Sequence, residues 1–108
     1  MALIQIELKD EKEVELETDR VIGLYDKYIK LTLDLLVKKN HDYGEAWRDL
    51  RVSSMTDIIL MKLFRTKQIE NNNGETLISE GVDANYQDMI NYSVFCLIKL
   101  GEEGLKNK

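Results

Sequence analysis

The chain has 108 residues, 44% of them hydrophobic, with a net charge of -5, no proline and one cysteine. That length holds one domain at most, and no apolar run approaches the roughly 18 residues that span a bilayer as a helix, so the chain reads as soluble and globular. An isoelectric point near 4.9 argues against direct nucleic-acid binding, which needs a continuous positive surface, and one cysteine rules out a disulfide framework within the chain.

The charge is unevenly spread. Residues 1–19 hold seven acids against two lysines, residues 38–67 seven basic against four acidic side chains, and residues 70–103 seven acids against one lysine. With no signal-peptide pattern at the start, a cytoplasmic location is expected.

In chain order, Ala2-Leu3-Ile4-Gln5-Ile6-Glu7 is similar to Cys96-Leu97-Ile98-Lys99-Leu100-Gly101. Residues 1–17 therefore read either as the tail of a preceding copy of the same unit plus an acidic linker, or as an unrelated short segment. Val21, Tyr25, Tyr28, Thr32 and Leu35, flanked by Ile22, Ile29, Leu33 and Leu36, form a stripe that predicts a first helix from about residue 18 to 39, ending at Asn40 and the turn-prone Asp42-Tyr43-Gly44. Ser54-Met55-Thr56-Asp57 has the form of a capping box, and Ile59, Leu60, Leu63 and Phe64 carry a second helix to about residue 70, where Asn71-Asn72-Asn73-Gly74 stops it. A third helix begins between residues 79 and 84, is apolar nearly all round from Met89 to Leu100, and is expected to end at Gly101. The class is all-α: a small bundle of three main helices and a short N-terminal segment, with the third helix central. Cys96 reads as a small buried hydrophobe.

The chemically capable residues fall into two polar clusters, one at residues 40–48 and one at residues 80–92. Glu80 and Asp83 share one helical face, and Asp88 and Asn91 an adjacent one. Hard oxygen ligands at this spacing suit Mg²⁺, and they are equally the residue types of a helix cap and a solvated face. Lys62 and Arg65, with Arg48 and Arg51, read as a phosphate pocket or as surface charge. His41 stands next to Asp42 without a second histidine at metal-ligand spacing, so it reads as a loop hydrogen-bonding group or a proton carrier and not as a zinc ligand. Tyr43 and Trp47, four apart, read as packing or as a surface for a base.

Lys39-Asn40-His41-Asp42-Tyr43-Gly44-Glu45-Ala46-Trp47-Arg48, Arg51-Val52-Ser53-Ser54-Met55-Thr56-Asp57, Lys62 with Arg65, and the second polar cluster together resemble the first nucleotide-modification-associated domain, a family of unknown function in bacteria, notably Bacteroidetes, and phages. The resemblance covers about residues 24–100. It implies a nucleotide-binding or nucleotide-processing protein, MazG-like in broad outline, and some bacterial members look like tandem copies. MazG-type pyrophosphohydrolases hold Mg²⁺ on carboxylates of two helices, and carried over to this chain the metal ligands are Glu80 and Asp83. Asp42 and Asp88 become the catalytic candidates. Asn40, His41, Tyr43, Trp47, Arg48, Lys62, Arg65 and Asn91 become the candidates for binding substrate. The chain departs from the MazG pattern on the second helix, where Lys62 and Arg65 stand and Asp57 and Glu70 are the acids, so binding without hydrolysis also fits. A non-catalytic helical interaction module is the other reading. A homo-oligomer, or packing against a second copy of the domain, is expected because the third helix looks too apolar for one layer to cover. If the two clusters build one site, Asp42, Arg48 and Arg65 should lie within reach of Glu80 or Asp83.

Overall fold

A computed structural model describes residues 10–73 and 81–106, and within them every regular element is helical. The elements are α1 (Glu11–Tyr43), a short 3-10 turn η1 (Ala46–Asp49), α2 (Val52–Asn71) and α3 (Val82–Lys106). The small all-α bundle is as expected. The chain divides into two compact units, Met1–Leu31 and Thr32–Lys108. No helix among the described residues is long and apolar enough to cross a membrane.

The first helix starts seven residues earlier than the apolar stripe suggests, so residues 11–17 are helical. The cause is local. Asp10 accepts a 2.8 Å hydrogen bond from the Glu13 amide, and Glu11 and Glu13 place acidic charge at the positive end of the helix dipole. Residues 2–7, the stretch similar to the end of α3, lie outside the described residues. At the other end Gly44 adopts φ +67 and its amide donates to the Asn40 carbonyl at 2.8 Å, a left-handed cap that stops the helix.

The second helix begins at Val52, behind an extended Arg51 that makes no side-chain cap. Ser54 therefore lies in the first turn and does not open a capping box. The helix starts early because η1 fixes the preceding chain: the Lys99 ammonium donates to the carbonyls of Arg48 (2.9 Å) and Leu50. Gly101 does not end α3, which continues to Lys106. A glycine inside a helix costs only about 1 kcal/mol relative to alanine, and the next residue, Glu102, is tied to Arg48 at 3.5 Å.

Within Thr32–Lys108, α3 is central. Lys62 meets Asp88 and Met55 shares a cluster with Phe95, so α2 and α3 run antiparallel. Asn91 Nδ2 donates to the Thr32 carbonyl and Lys39 to Asp88, which sets the last part of α1 antiparallel to α3 as well. The apolar core is small: Trp47, Met55 and Phe95, with Leu36, Leu50, Val52, Tyr92 and the partly buried Cys96 against them. Trp47 and Phe95 stack with ring centroids 4.3 Å apart, and Tyr92 meets Phe95 edge-on.

The inner face of α3 differs from its apolar reading. Asn85, Asp88 and Asn91, at intervals of three, are buried, whereas Val94, Leu97 and Leu100 are exposed. Thr32 and Thr66 are buried too. The helices thus meet through a polar seam, satisfied by bonds such as Thr66 Oγ1 to the Lys62 carbonyl (2.9 Å) and Asn85 Nδ2 to the Gly81 carbonyl (2.9 Å).

Candidate functional site

The seam opens into a cavity of about 240 Å³ lined by Leu36, Lys39, Asn40, Gly44, Ala46, Trp47, Lys62, Asp88, Asn91, Tyr92 and Phe95. Asp88 is its charged centre. The residue is 4% exposed, its Oδ1 lies 2.6 Å from Lys39 Nζ and its Oδ2 2.9 Å from Lys62 Nζ. One carboxylate therefore joins α1, α2 and α3. Burial pushes the Asp88 carboxyl up, but the hydrogen bonds and charges of the two lysines outweigh it and hold the group below its ordinary 3.8. Asp88 is ionised at neutral pH and is a poor base.

Two ammonium groups therefore meet one carboxylate at the pocket wall. The Lys39 and Lys62 side chains are 34% and 28% exposed, partly desolvated yet within reach of a ligand. Trp47 Nε1 is buried and meets no acceptor among the described residues. A buried N–H without a partner costs about 1–3 kcal/mol. The face of the indole is less available, since Phe95 stacks on it and the Arg48 guanidinium lies 4.7 Å from its centre.

Of the residues singled out from sequence, Asn40, Trp47, Lys62, Asp88 and Asn91 are brought together in this pocket. The first cluster folds onto the later half of the third helix and not over its start, through different pairs from those expected. Arg48 binds Glu45 at 2.5 Å and Glu102 at 3.5 Å, and Glu45 in particular holds its guanidinium above its ordinary value. Glu102 lies about 28 Å of helix rise from Asp83. Arg48 therefore does not reach the head of α3. His41 and Asp42 contact each other at 3.3 Å with side chains 88% and 65% exposed, and neither lines the cavity. Arg65 is exposed on α2. Glu80 and the Tyr43 side chain lie outside the described residues.

Sequence reasoning passed over Lys39, although it begins the first motif, because a lysine at the end of a basic stretch reads as surface charge. Its heptad spacing from Thr32 and Tyr25 on the predicted stripe was the available signal. Tyr92 and Phe95 were hidden in an apolar run with no period to mark their face.

Asp83 is exposed, and among the described residues no three His, Cys, Asp or Glu side chains gather as a metal site. The buried carboxylate already has two lysines on it. This donor set suits an anion better than Mg²⁺.

A small helical domain with a pocket lined by lysine and aromatic side chains is what the fold and site define. The chain belongs to the nucleotide modification associated domain 1 family, whose model matches residues 39–100. No curated protein and no solved structure matches it. The matched stretch contains Lys39, Trp47, Lys62, Asp88 and Asn91, and so nearly the whole pocket.

Proposed function

We propose that the cavity binds the phosphate of a nucleotide, with Lys39 and Lys62 as its cationic ligands. The observation that carries this is the pair of lysines on one buried carboxylate, because Asp88 occupies the position of an anion and a phosphate competes for the same donors. The family's link to nucleotide modification supports a nucleotide as the source of that phosphate. At about 240 Å³ the cavity is below the usual range of about 300–1,000 Å³, so it takes the phosphate and part of the sugar while the base lies towards the open side.

In this reading Asp88 is a counter-ion that positions the lysines and not a general base. Asp42, the other catalytic candidate, is exposed and does not line the cavity. The pocket is a binding site without hydrolysis of its own.

The test is thermal shift with deoxynucleoside mono- and triphosphates, with and without Mg²⁺, and with inorganic phosphate as competitor. A ligand at a hundred times its Kd stabilises by about 2.7 kcal/mol, which is about 10–20 °C for a domain of this size. No shift with any nucleotide, or an equal shift in Lys62→Met, overturns the reading and leaves the interaction module. That second reading has its own support in the exposed Leu60, Met61 and Phe64 of α2.

A further inference from the structure

Asn91 lines the cavity one helical turn beyond Asp88, and its orientation is fixed from outside the cavity. The Thr32 carbonyl can only accept a hydrogen bond, so the nitrogen of the Asn91 carboxamide must face it, and Nδ2 donates across 3.2 Å. Thr32 is itself buried and is not part of the lining. The end of the carboxamide left to the cavity is therefore Oδ1, which no hydrogen bond from the described residues reaches. A flipped amide would set oxygen against oxygen at Thr32, so the site offers an acceptor here and cannot exchange it for a donor.

An acceptor in this place needs a donor on the ligand. A phosphate dianion carries none, and the base lies towards the open side, which leaves a hydroxyl of the sugar. Position agrees with chemistry. Asn91 follows Asp88 by three residues, about 4.5 Å further along the same face of α3, while Lys39 and Lys62 meet at the Asp88 carboxylate. In a nucleoside 5′-phosphate the hydroxyl fewest bonds from phosphorus is the one on C3′, and the sugar between them bridges a step of that order. Asn91 is 7% exposed, so a ligand without this hydroxyl leaves Oδ1 shut off from water and unpaired.

On the phosphate reading of this pocket, on which the inference rests, we propose that Asn91 Oδ1 accepts a hydrogen bond from the 3′-hydroxyl of the bound nucleotide. The site then takes free nucleotides and refuses a nucleotide within a strand, where the 3′-oxygen is esterified and has no proton to donate.

The test is calorimetric titration of the whole chain with a deoxynucleoside 5′-monophosphate, its 2′,3′-dideoxy and 3′-O-methyl analogues, and inorganic phosphate. The deoxynucleotide should bind about fivefold or more tighter than the dideoxy analogue, because a site built to hydrogen-bond a hydroxyl rejects the ligand that lacks it. The 3′-O-methyl analogue keeps the oxygen and loses the proton, and should bind no better than the dideoxy one. Asn91→Leu should lose the preference and bind deoxy and dideoxy nucleotides alike. The ligand series decides on the wild-type chain alone, whatever a substitution does to the fold. A deoxy preference below about fivefold, or a 3′-O-methyl analogue as tight as the deoxynucleotide, overturns the proposal and leaves phosphate binding standing. A preference that survives in Asn91→Leu does the same. No binding of inorganic phosphate or of any nucleotide overturns the phosphate reading and the proposal together.

Discussion

Asp88 has two possible duties in the pocket, and substitution separates them. As a counter-ion it competes with an incoming phosphate for Lys39 and Lys62. Asp88→Asn then removes the competition, and phosphate or nucleotide affinity, read from Trp47 fluorescence, should rise several-fold. As a general base it would instead abolish turnover and leave binding unchanged. Trp47 is the sole tryptophan, so the signal comes from the pocket wall itself. Lys62→Met has the opposite sign. A hydrogen bond to a charged group contributes about 1.5–3 kcal/mol, so ligand binding should weaken about 10- to 150-fold while Lys39 keeps Asp88 partnered. Affinity falling less than threefold would remove Lys62 from the ligand set.

The short elements between α1 and α2 place Trp47, and two changes test how. Gly44 stands at φ +67 with no atom of the described residues beyond its chain neighbours within 4 Å of where a Cβ would be, so Gly44→Ala meets conformational cost and no clash with them. It should destabilise the fold by about 1–2 kcal/mol in urea, and Gly44→Asn by less, since asparagine tolerates the left-handed region. Lys99→Met leaves the carbonyls of Arg48 and Leu50 without their ammonium donor, and should cost about 1–2 kcal/mol with a red shift of Trp47 emission as η1 loosens. The helices themselves were legible because the 3.6-residue period and the Asn-rich breaker are local signals. Their ends were less so: Asp10 with Glu13 caps α1 in a pattern that an acid-rich linker also shows, and Gly101 stays helical because a tertiary ion pair holds the next turn. The pocket was half legible for the same reason. Asp88 and Asn91 share a face by spacing alone, but which basic residues meet them depends on the antiparallel register of α1, α2 and α3, and no local pattern states that.

At the scale of the molecule, Asp88 ties three helices together where the apolar core is thin, so its ionisation should govern acid stability. Its folded pKa lies below 3.8 while its unfolded value is about 3.9. A depressed carboxylate stabilises the fold fully above the unfolded pKa, and that contribution is lost as pH falls through the folded one. Asp88→Asn lacks the charge at every pH. The wild type should therefore exceed the variant by about 1.5–3 kcal/mol at pH 7, an amount set by charged hydrogen bonds to lysines that remain partly solvated. Below about pH 4 the gap should narrow, progressively as pH falls through the folded pKa, because protonated Asp88 resembles the amide and no longer offers its charge to Lys39 and Lys62. Chemical denaturation at pH 7, 5 and 3 reads this directly. A gap that stays constant from pH 7 to 3 would mean that the carboxylate's shape and not its charge joins the helices, and would take away the electrostatic basis for reading the seam as an anion site.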